Sequence, residues 1–325
     1  MVLSELRKVC SGDLSSESRA RSINLFLTLA VYNFDFWFDG SRGVVVLDEV
    51  EPCVAIVSVD GEYSIYCRSS SASCSDLERQ LRKCLGVDED LNDFFARAAR
   101  DPLLKAFALR FRGWRLRSTS LWWALVIGVC QQNASFRQGW LMLRRIIEVY
   151  GCRARVESSE IPLPPPPELV AKNPNPLRTA RVGYRASVIE NVARAIASGE
   201  LRFEDLTRTD PRKAEARLRE LRGVGPYTAR LALALGARVY DLPPIDRWVK
   251  AIASLAYGVD ERSVESVWIA RWGKWSALAV LALTIALDAE PLRKAIERVE
   301  RGLLEPREDL VPSPLNLWRW RPYEK

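Results

Sequence analysis

The sequence predicts an α+β protein, mainly α, in which a small N-terminal antiparallel β domain precedes a larger all-α region. Three observations carry this. The first third has strand grammar: the β-branched run "GVVVLDEV" (43–50), then "CVAIVSV" and "EYSIYC" flanking Asp60-Gly61. From about residue 90 onward the apolar residues recur at helical spacing. The same region carries helix punctuation, with Asp or Ser before apolar runs and Gly or Pro after them. The division expected is a β domain with flanking helices over 1–115, a helical domain over 116–310 and a tail over 311–325.

Taken in order, "INLFLTLAVYNFDFWF" (23–38) is apolar and aromatic and reads as strand or helix. Asp60-Gly61 predicts a two-residue hairpin turn inside a sheet spanning roughly residues 20–70. "CSDLERQLRKCLGV" (74–87) predicts an amphipathic helix with Ser75 or Asp76 as N-cap. The stretch 118–151 holds one or two long helices around the polar break Gln131-Gln132-Asn133. The proline-rich "IPLPPPPELVAKNPNP" (161–176) reads as a surface connector. "RASVIENVARAIASGE" (185–200) is a helix ending at Gly199. In "DPRKAEARLRELRG" (210–223) Asp210 caps a helix, Pro211 takes its first position and Gly223 stops the run. Two further helices, after Asp246 and from about Lys274, close the region, and no internal repeat is visible.

Composition excludes several chemistries. The 325 residues are 48% hydrophobic, enough for a packed core, and the formal net charge is +7. That excess favours an anionic partner, nucleic acid first, against the plainer reading of a solvated Arg-rich surface. There is no histidine, which removes Ser-His and Cys-His nucleophiles and leaves proton chemistry to carboxylates, Lys, Tyr, Cys or water. The seven cysteines are scattered without a CxxC pair, so neither a disulfide framework nor metal-ligand spacing is expected. "MVLSELRKVC" is too charged for a signal-peptide core, and the longest apolar runs are too short to span a bilayer. The expectation is a soluble cytoplasmic, nucleoid-associated protein.

Two short features stand close together. At Gly223-Val224-Gly225-Pro226 one helix ends where positive φ is cheap and another begins with a proline. Bare backbone N–H groups at such a turn form a phosphate-sized anion site. The same turn also serves as an ordinary connection between packed helices. Asp246 follows Pro243-Pro244-Ile245 and precedes "RWVKAIASLAYG", so taken alone it reads as an N-cap.

The order helix, Gly-Val-Gly, helix, Pro-Pro-Ile-Asp, helix resembles the helix-hairpin-helix, Gly/Pro-Asp superfamily of base-excision DNA glycosylases. Leu221, the Gly223/Gly225 pair, the apolar "TARLALALGA" and Asp246 match its pattern. The resemblance is nearest the branch containing 8-oxoguanine glycosylase and 3-methyladenine glycosylase II, and it covers about 200 residues. It implies a two-lobed helical glycosylase region behind a β domain. "VCQQNASF" resembles the segment that fills the space of a flipped base, with Gln132 and Asn133 in the matching places. "GYRA" resembles a wedge, implying that Tyr184 and Arg185 enter the duplex and touch the orphaned base. In lyase members a lysine stands where this chain has Tyr227. After Cys152 there is no cysteine, so the iron-sulfur cluster of another branch is not expected. The late core helix "SALAVLALT" lacks the base-reading glutamine of 8-oxoguanine glycosylase.

The chemistry suits these residues. Breaking an N-glycosidic bond builds positive charge on the sugar, which a carboxylate stabilises. Asp246, at a helix N-terminus, is expected to stay ionised and to be catalytic. The hairpin backbone of Gly223, Val224 and Gly225, with Arg247, is expected to hold the DNA backbone. Arg222, Arg230 and Lys250 are further candidates for phosphate contact. Tyr227 and Trp248 are expected to line the base pocket. Of the other tryptophans in the helical region (Trp122, Trp123, Trp140, Trp272, Trp275), most are expected in the core. The tail "LWRWRPYEK" either touches DNA or docks on the sheet, docking being favoured. The expected enzyme acts as a monomer on double-stranded DNA carrying a lesion and uses water as nucleophile. It needs no cofactor or metal beyond a monovalent cation at the hairpin, a feature taken from the resemblance. Two rivals remain: a bifunctional glycosylase/lyase using another amine, Lys250 first, and a non-catalytic helix-hairpin-helix DNA-binding protein.

Overall fold

The computed structural model describes residues 2–33, 35, 37–69, 72–203, 206 and 208–320. Among the described residues seven strands form two sheets. In the first, β2 (Arg7–Asp13), β5 (Glu62–Cys67), β4 (Cys53–Ser58) and β3 (Arg42–Asp48) lie side by side, all antiparallel. The amphipathic Cys74–Leu85 helix covers one face of this sheet with Leu77, Leu81 and Leu85. Its N-cap is Ser73, whose hydroxyl accepts from the Asp76 N–H, so the helix begins earlier than Ser75 or Asp76 would place it. The sheet also begins earlier than residue 20, because β2 pairs with β5 from Arg7 onward. The β4–β5 connection is wider than a two-residue turn, since Val57 and Tyr63 are the last paired residues. Between Leu25 and Ala30 the ambiguous apolar segment is helical, capped by Asn24.

The second sheet has no counterpart in the sequence reading. β1 (Val2–Glu5) runs parallel to β6 (Cys152–Val156), and β7 (Ser159–Pro162) pairs antiparallel with β6. The helical region is therefore interrupted by a hairpin. The proline-rich segment is also not a surface loop. Leu163, Pro164, Pro165 and Pro167 are buried, and the Pro165 carbonyl accepts the Trp122 indole N–H at 2.8 Å. Cys53 and Cys67, opposite one another on β4 and β5, form a disulfide that scattered spacing did not suggest.

Two helices that are apolar all round form the centre of the helical part. In Leu121–Gln131 every residue through Cys130 is buried, and in Ser276–Ala286 all but Thr284 are. The polar break at Gln131–Asn133 separates the first from Phe136–Tyr150, which Ser135 opens with a full capping box to Gln138. The hairpin helices Pro211–Arg219 and Pro226–Ala232 follow, the first capped by Asp210 as its sequence indicates. Gly128 lets the second approach the central helix, where a Cβ would lie 3.0 Å from Thr228 Cγ2. Beyond the Asp246 helix (Arg247–Tyr257) come Val264–Trp272 and, last, Leu292–Glu300, two helices more than the sequence reading placed. The tail docks on the β domain: Trp318 meets Phe38 edge-on at 4.9 Å, while the end of the "LWRWRPYEK" stretch, 321–325, lies outside the described residues. No helix among the described residues is long and apolar enough to cross a membrane.

One buried acid joins the two parts. Glu49, just after β3, accepts from the Ser120 hydroxyl at 2.7 Å, and Ser120 caps the central helix. Burial pushes the Glu49 carboxyl up to about 7. A carboxyl whose folded pKa is raised binds protons more tightly when folded, so the fold loses stability as pH climbs toward 7 and regains it on acidification. Glu49→Gln is therefore expected to raise the Tm by a few degrees at pH 8 and to have little effect near pH 4.5. Thermal melts at both values test this, and a variant that melts lower at pH 8 contradicts it.

Candidate active site

A cavity of about 310 Å³ opens between the two central helices, the second hairpin helix and the Asp246 helix. Its walls are aromatic and aliphatic: Tyr32, Phe136, Trp140, Tyr227 and Trp248 among others. The second hairpin helix widens into a π-turn at Leu233–Ala237, which sets Leu235 on the cavity wall. Among the described residues no lysine or arginine lines the space, whereas Asp246 stands on its rim.

Asp246 is an N-cap and also reaches the cavity. Its Oδ1 accepts the Val249 N–H at 2.9 Å, and its side chain remains open to solvent. Its pKa departs from the sequence expectation. The walls behind the carboxyl strip water from it and raise the pKa, and the Val249 and Trp248 N–H groups only partly oppose this. A helix N-terminus lowers the cost of the charge but does not replace lost hydration here. Asp246 is consequently a better proton acceptor than a freely hydrated aspartate. Tyr227 lines the same cavity, and burial together with the Asp246 charge pushes its phenol pKa upward, so it is neutral at physiological pH. Trp248 is held by its indole N–H on the Glu290 carbonyl at 2.8 Å. Glu290 in turn pairs with Arg298, which also binds Asp288. Of the tryptophans outside the predicted pocket, Trp140 lines the cavity although it is almost fully buried, and Trp123 and Trp272 are buried without lining it.

The hairpin, the polar break and the Gly-Tyr-Arg segment meet at one end of the cavity. Gly223 has φ +90°, the left-handed conformation that favours glycine, and a Cβ there would strike Val188 at 2.4 Å. Val224 is buried, so only its backbone is available at the turn. Gln132 is not free to fill a gap. Its Nε2 donates to the Gly223 carbonyl at 3.0 Å and to Thr228 Oγ1 at 2.7 Å, bracing the hairpin. Arg185 is buried too. It binds the carbonyls of Gln132 and Val182 and lies 4.7 Å from the Tyr184 ring centre, so it braces this segment rather than standing free in solvent. Asn133 and Tyr184 remain exposed, with Asn133 Nδ2 3.5 Å from the Tyr184 hydroxyl.

The basic candidates separate in the same way. Arg222, just before the hairpin glycine, and Arg247, just after Asp246, are exposed. Arg230 is tied to Glu215 at 3.1 Å and Glu265 at 2.8 Å, so its charge is already paired within the protein. Lys250 does not line the cavity. At the hairpin, the Leu221 carbonyl accepts from Val224 and that of Gly223 from Gln132, which leaves each a second lone pair for a cation. Among the described residues no cluster of Cys, Asp and Glu is arranged to hold a metal ion. Sequence reasoning missed Tyr32, Gln131 and Phe136 as cavity residues, although Gln131 and Phe136 both lie within the "VCQQNASF" stretch it had singled out.

No protein-family model matches the chain. It is 30% identical over 174 residues to a DNA-3-methyladenine glycosylase of Bacillus subtilis, covering 53% of this chain and 57% of the relative. It is 37% identical over 78 residues to a probable N-glycosylase/DNA lyase of Methanothermobacter thermautotrophicus, 24% of this chain and 25% of that one. The chain thus spans little more than half the length of the first relative and a quarter of the second. Among solved structures, 3-methyladenine DNA-glycosylase from Archaeoglobus fulgidus superposes with a TM-score of 0.68 at 18% identity, over 85% of this chain and 97% of its own. The 8-oxoguanine glycosylase/lyase of Clostridium acetobutylicum, bound to DNA, gives 0.64 at 15%, over 93% and 100%. These two likenesses are of fold. In fold the chain is similar to these DNA glycosylases, and the order of its hairpin–aspartate motif resembles that of the helix-hairpin-helix superfamily.

Proposed function

We propose that this protein is a monofunctional DNA glycosylase that takes a damaged base from duplex DNA into the aromatic cavity and hydrolyses its N-glycosidic bond. The observation that carries the reading is Asp246 on the rim of that cavity, next to the hairpin. The hairpin backbone and the exposed Arg222 and Arg247 hold the phosphates of the strand. Tyr184 and Asn133 take the place of the extruded base. Asp246 stabilises the positive sugar and accepts a proton from the attacking water. Among the described residues the walls carry no cationic side chain, and they offer aromatic faces, which suits an electron-poor N-alkylated purine through cation–π attraction. The name of the Bacillus relative agrees with that class. The reaction needs no cofactor, and a monomer presents every group in it.

The monofunctional assignment rests on Tyr227. A lysine at this place can attack the sugar C1′ and form a Schiff base, whereas a neutral phenol cannot form an imine. With duplexes carrying alkylated purines, hypoxanthine, uracil or 8-oxoguanine, the expected product is an intact strand with an abasic site, cut only after alkali or heat. Borohydride is expected to trap no covalent adduct. Efficient trapping by the native chain overturns the monofunctional reading and points to another amine, Lys250 first. Absence of base release from every duplex leaves the non-catalytic DNA-binding reading in its place.

A further inference from the structure

Gln131 is the last residue of the central helix Leu121–Gln131 and lines the cavity. Its amide Nε2 is buried and, among the described residues, has no hydrogen-bond partner. Several other polar groups on the wall are engaged. The Tyr32 hydroxyl meets Thr284, Trp248 donates to the Glu290 carbonyl, and Ser135 serves the capping box. Asp246 Oδ1 holds the Val249 N–H. A buried amide left without a partner costs stability, so its retention on a cavity wall calls for a ligand.

The facing helix makes room for this amide. Gly139 lies inside Phe136–Tyr150, a position where glycine weakens a helix. A Cβ at 139 would lie 2.5 Å from Gln131 Cδ and Nε2 and 2.6 Å from Oε1. The missing side chain is therefore the seat of the Gln131 carboxamide. An amide presents one donor and one acceptor side by side, the complement of an adenine edge, where N6–H stands next to a ring-nitrogen acceptor. Alkylation at N3 leaves that edge intact.

We infer that Gln131, seated on Gly139, is a specificity-determining residue whose carboxamide pairs with the donor–acceptor edge of the flipped purine. The inference rests on the glycosylase reading above. The test is Gln131→Met, which keeps the length and removes both hydrogen-bonding groups, assayed on duplex DNA containing 3-methyladenine. The kcat/KM is expected to fall about 10–100-fold. Affinity for product DNA with an abasic site should be unchanged, and the Tm equal or higher, because a buried unpaired donor has gone. A merely structural glutamine would lower Tm and abasic-site affinity together. Gly139→Ala, which evicts the amide from its seat, is expected to reproduce the loss of rate. An unchanged kcat/KM in Gln131→Met, with the native chain active, overturns the role of Gln131 alone. A native chain that releases no base overturns the glycosylase reading and this inference with it.

Discussion

Asp246→Asn is expected to lower base release by at least about 100-fold while DNA binding persists, as for the loss of transition-state charge stabilisation. The substitution is clean because the side chain has two separable tasks. Its Oδ1 holds the Val249 N–H at 2.9 Å, and the asparagine carbonyl can do the same. The charge on the cavity rim is what disappears. The pH dependence follows from the raised pKa: kcat/KM of the native chain should fall on acidification at a pH above the ordinary aspartate value of about 3.9. The stability sign is opposite to that of a salt-bridged aspartate. Folding disfavours the ionised form, so Asp246 destabilises the fold above its folded pKa, and this is relieved as pH falls through that value. The Asn variant should thus be at least as stable as the native chain at neutral pH, with the stability held back by function. Unchanged turnover would remove Asp246 from the chemistry. A lower Tm would mean that the cap had been lost and that the rate change was not the charge alone.

The second large effect is expected at Gly225. This residue has φ −91° and ψ 178°, extended backbone open to any residue, and a Cβ there meets nothing within 4 Å. Gly225→Val should therefore fold normally and act only on what approaches from outside. Affinity should drop by about tenfold or more for damaged and undamaged duplexes alike, with a shallower salt dependence, because on the proposed reading the turn grips phosphate and the valine side chain holds it off. Gly223 offers no such test, since its left-handed backbone and the crowding by Val188 make substitution there a folding defect. Binding by fluorescence anisotropy across a salt series, alongside a thermal melt, decides it. A loss confined to one lesion would mean that the turn reads bases.

The sequence by itself determined those features whose causes lie within a few residues of one another. Asp210 and Pro211 start a helix because their hydrogen bonding and fixed φ act on the next three positions. The Gly-Val-Gly turn and the cap at Asp246 are local in the same sense, and so is the polar break at Gln131–Asn133, while the sequence leaves open whether it divides two helices. The general α+β order follows from those signals and from the strand alternation before residue 70. The tertiary structure alone decided what depends on distant neighbours. Val2 pairs with Cys152, a register that no local pattern in a charged N-terminus expresses. Arg185 and Gln132 look like free polar groups in their segments, but packing of the hairpin against the central helix buries the one and engages the other. Asp246 has the sequence environment of an ionised cap, while its proton affinity is set by walls contributed from four separate stretches of chain. Hydration and close packing are properties of the space around a residue, and the chain specifies that space only after its remote parts have met.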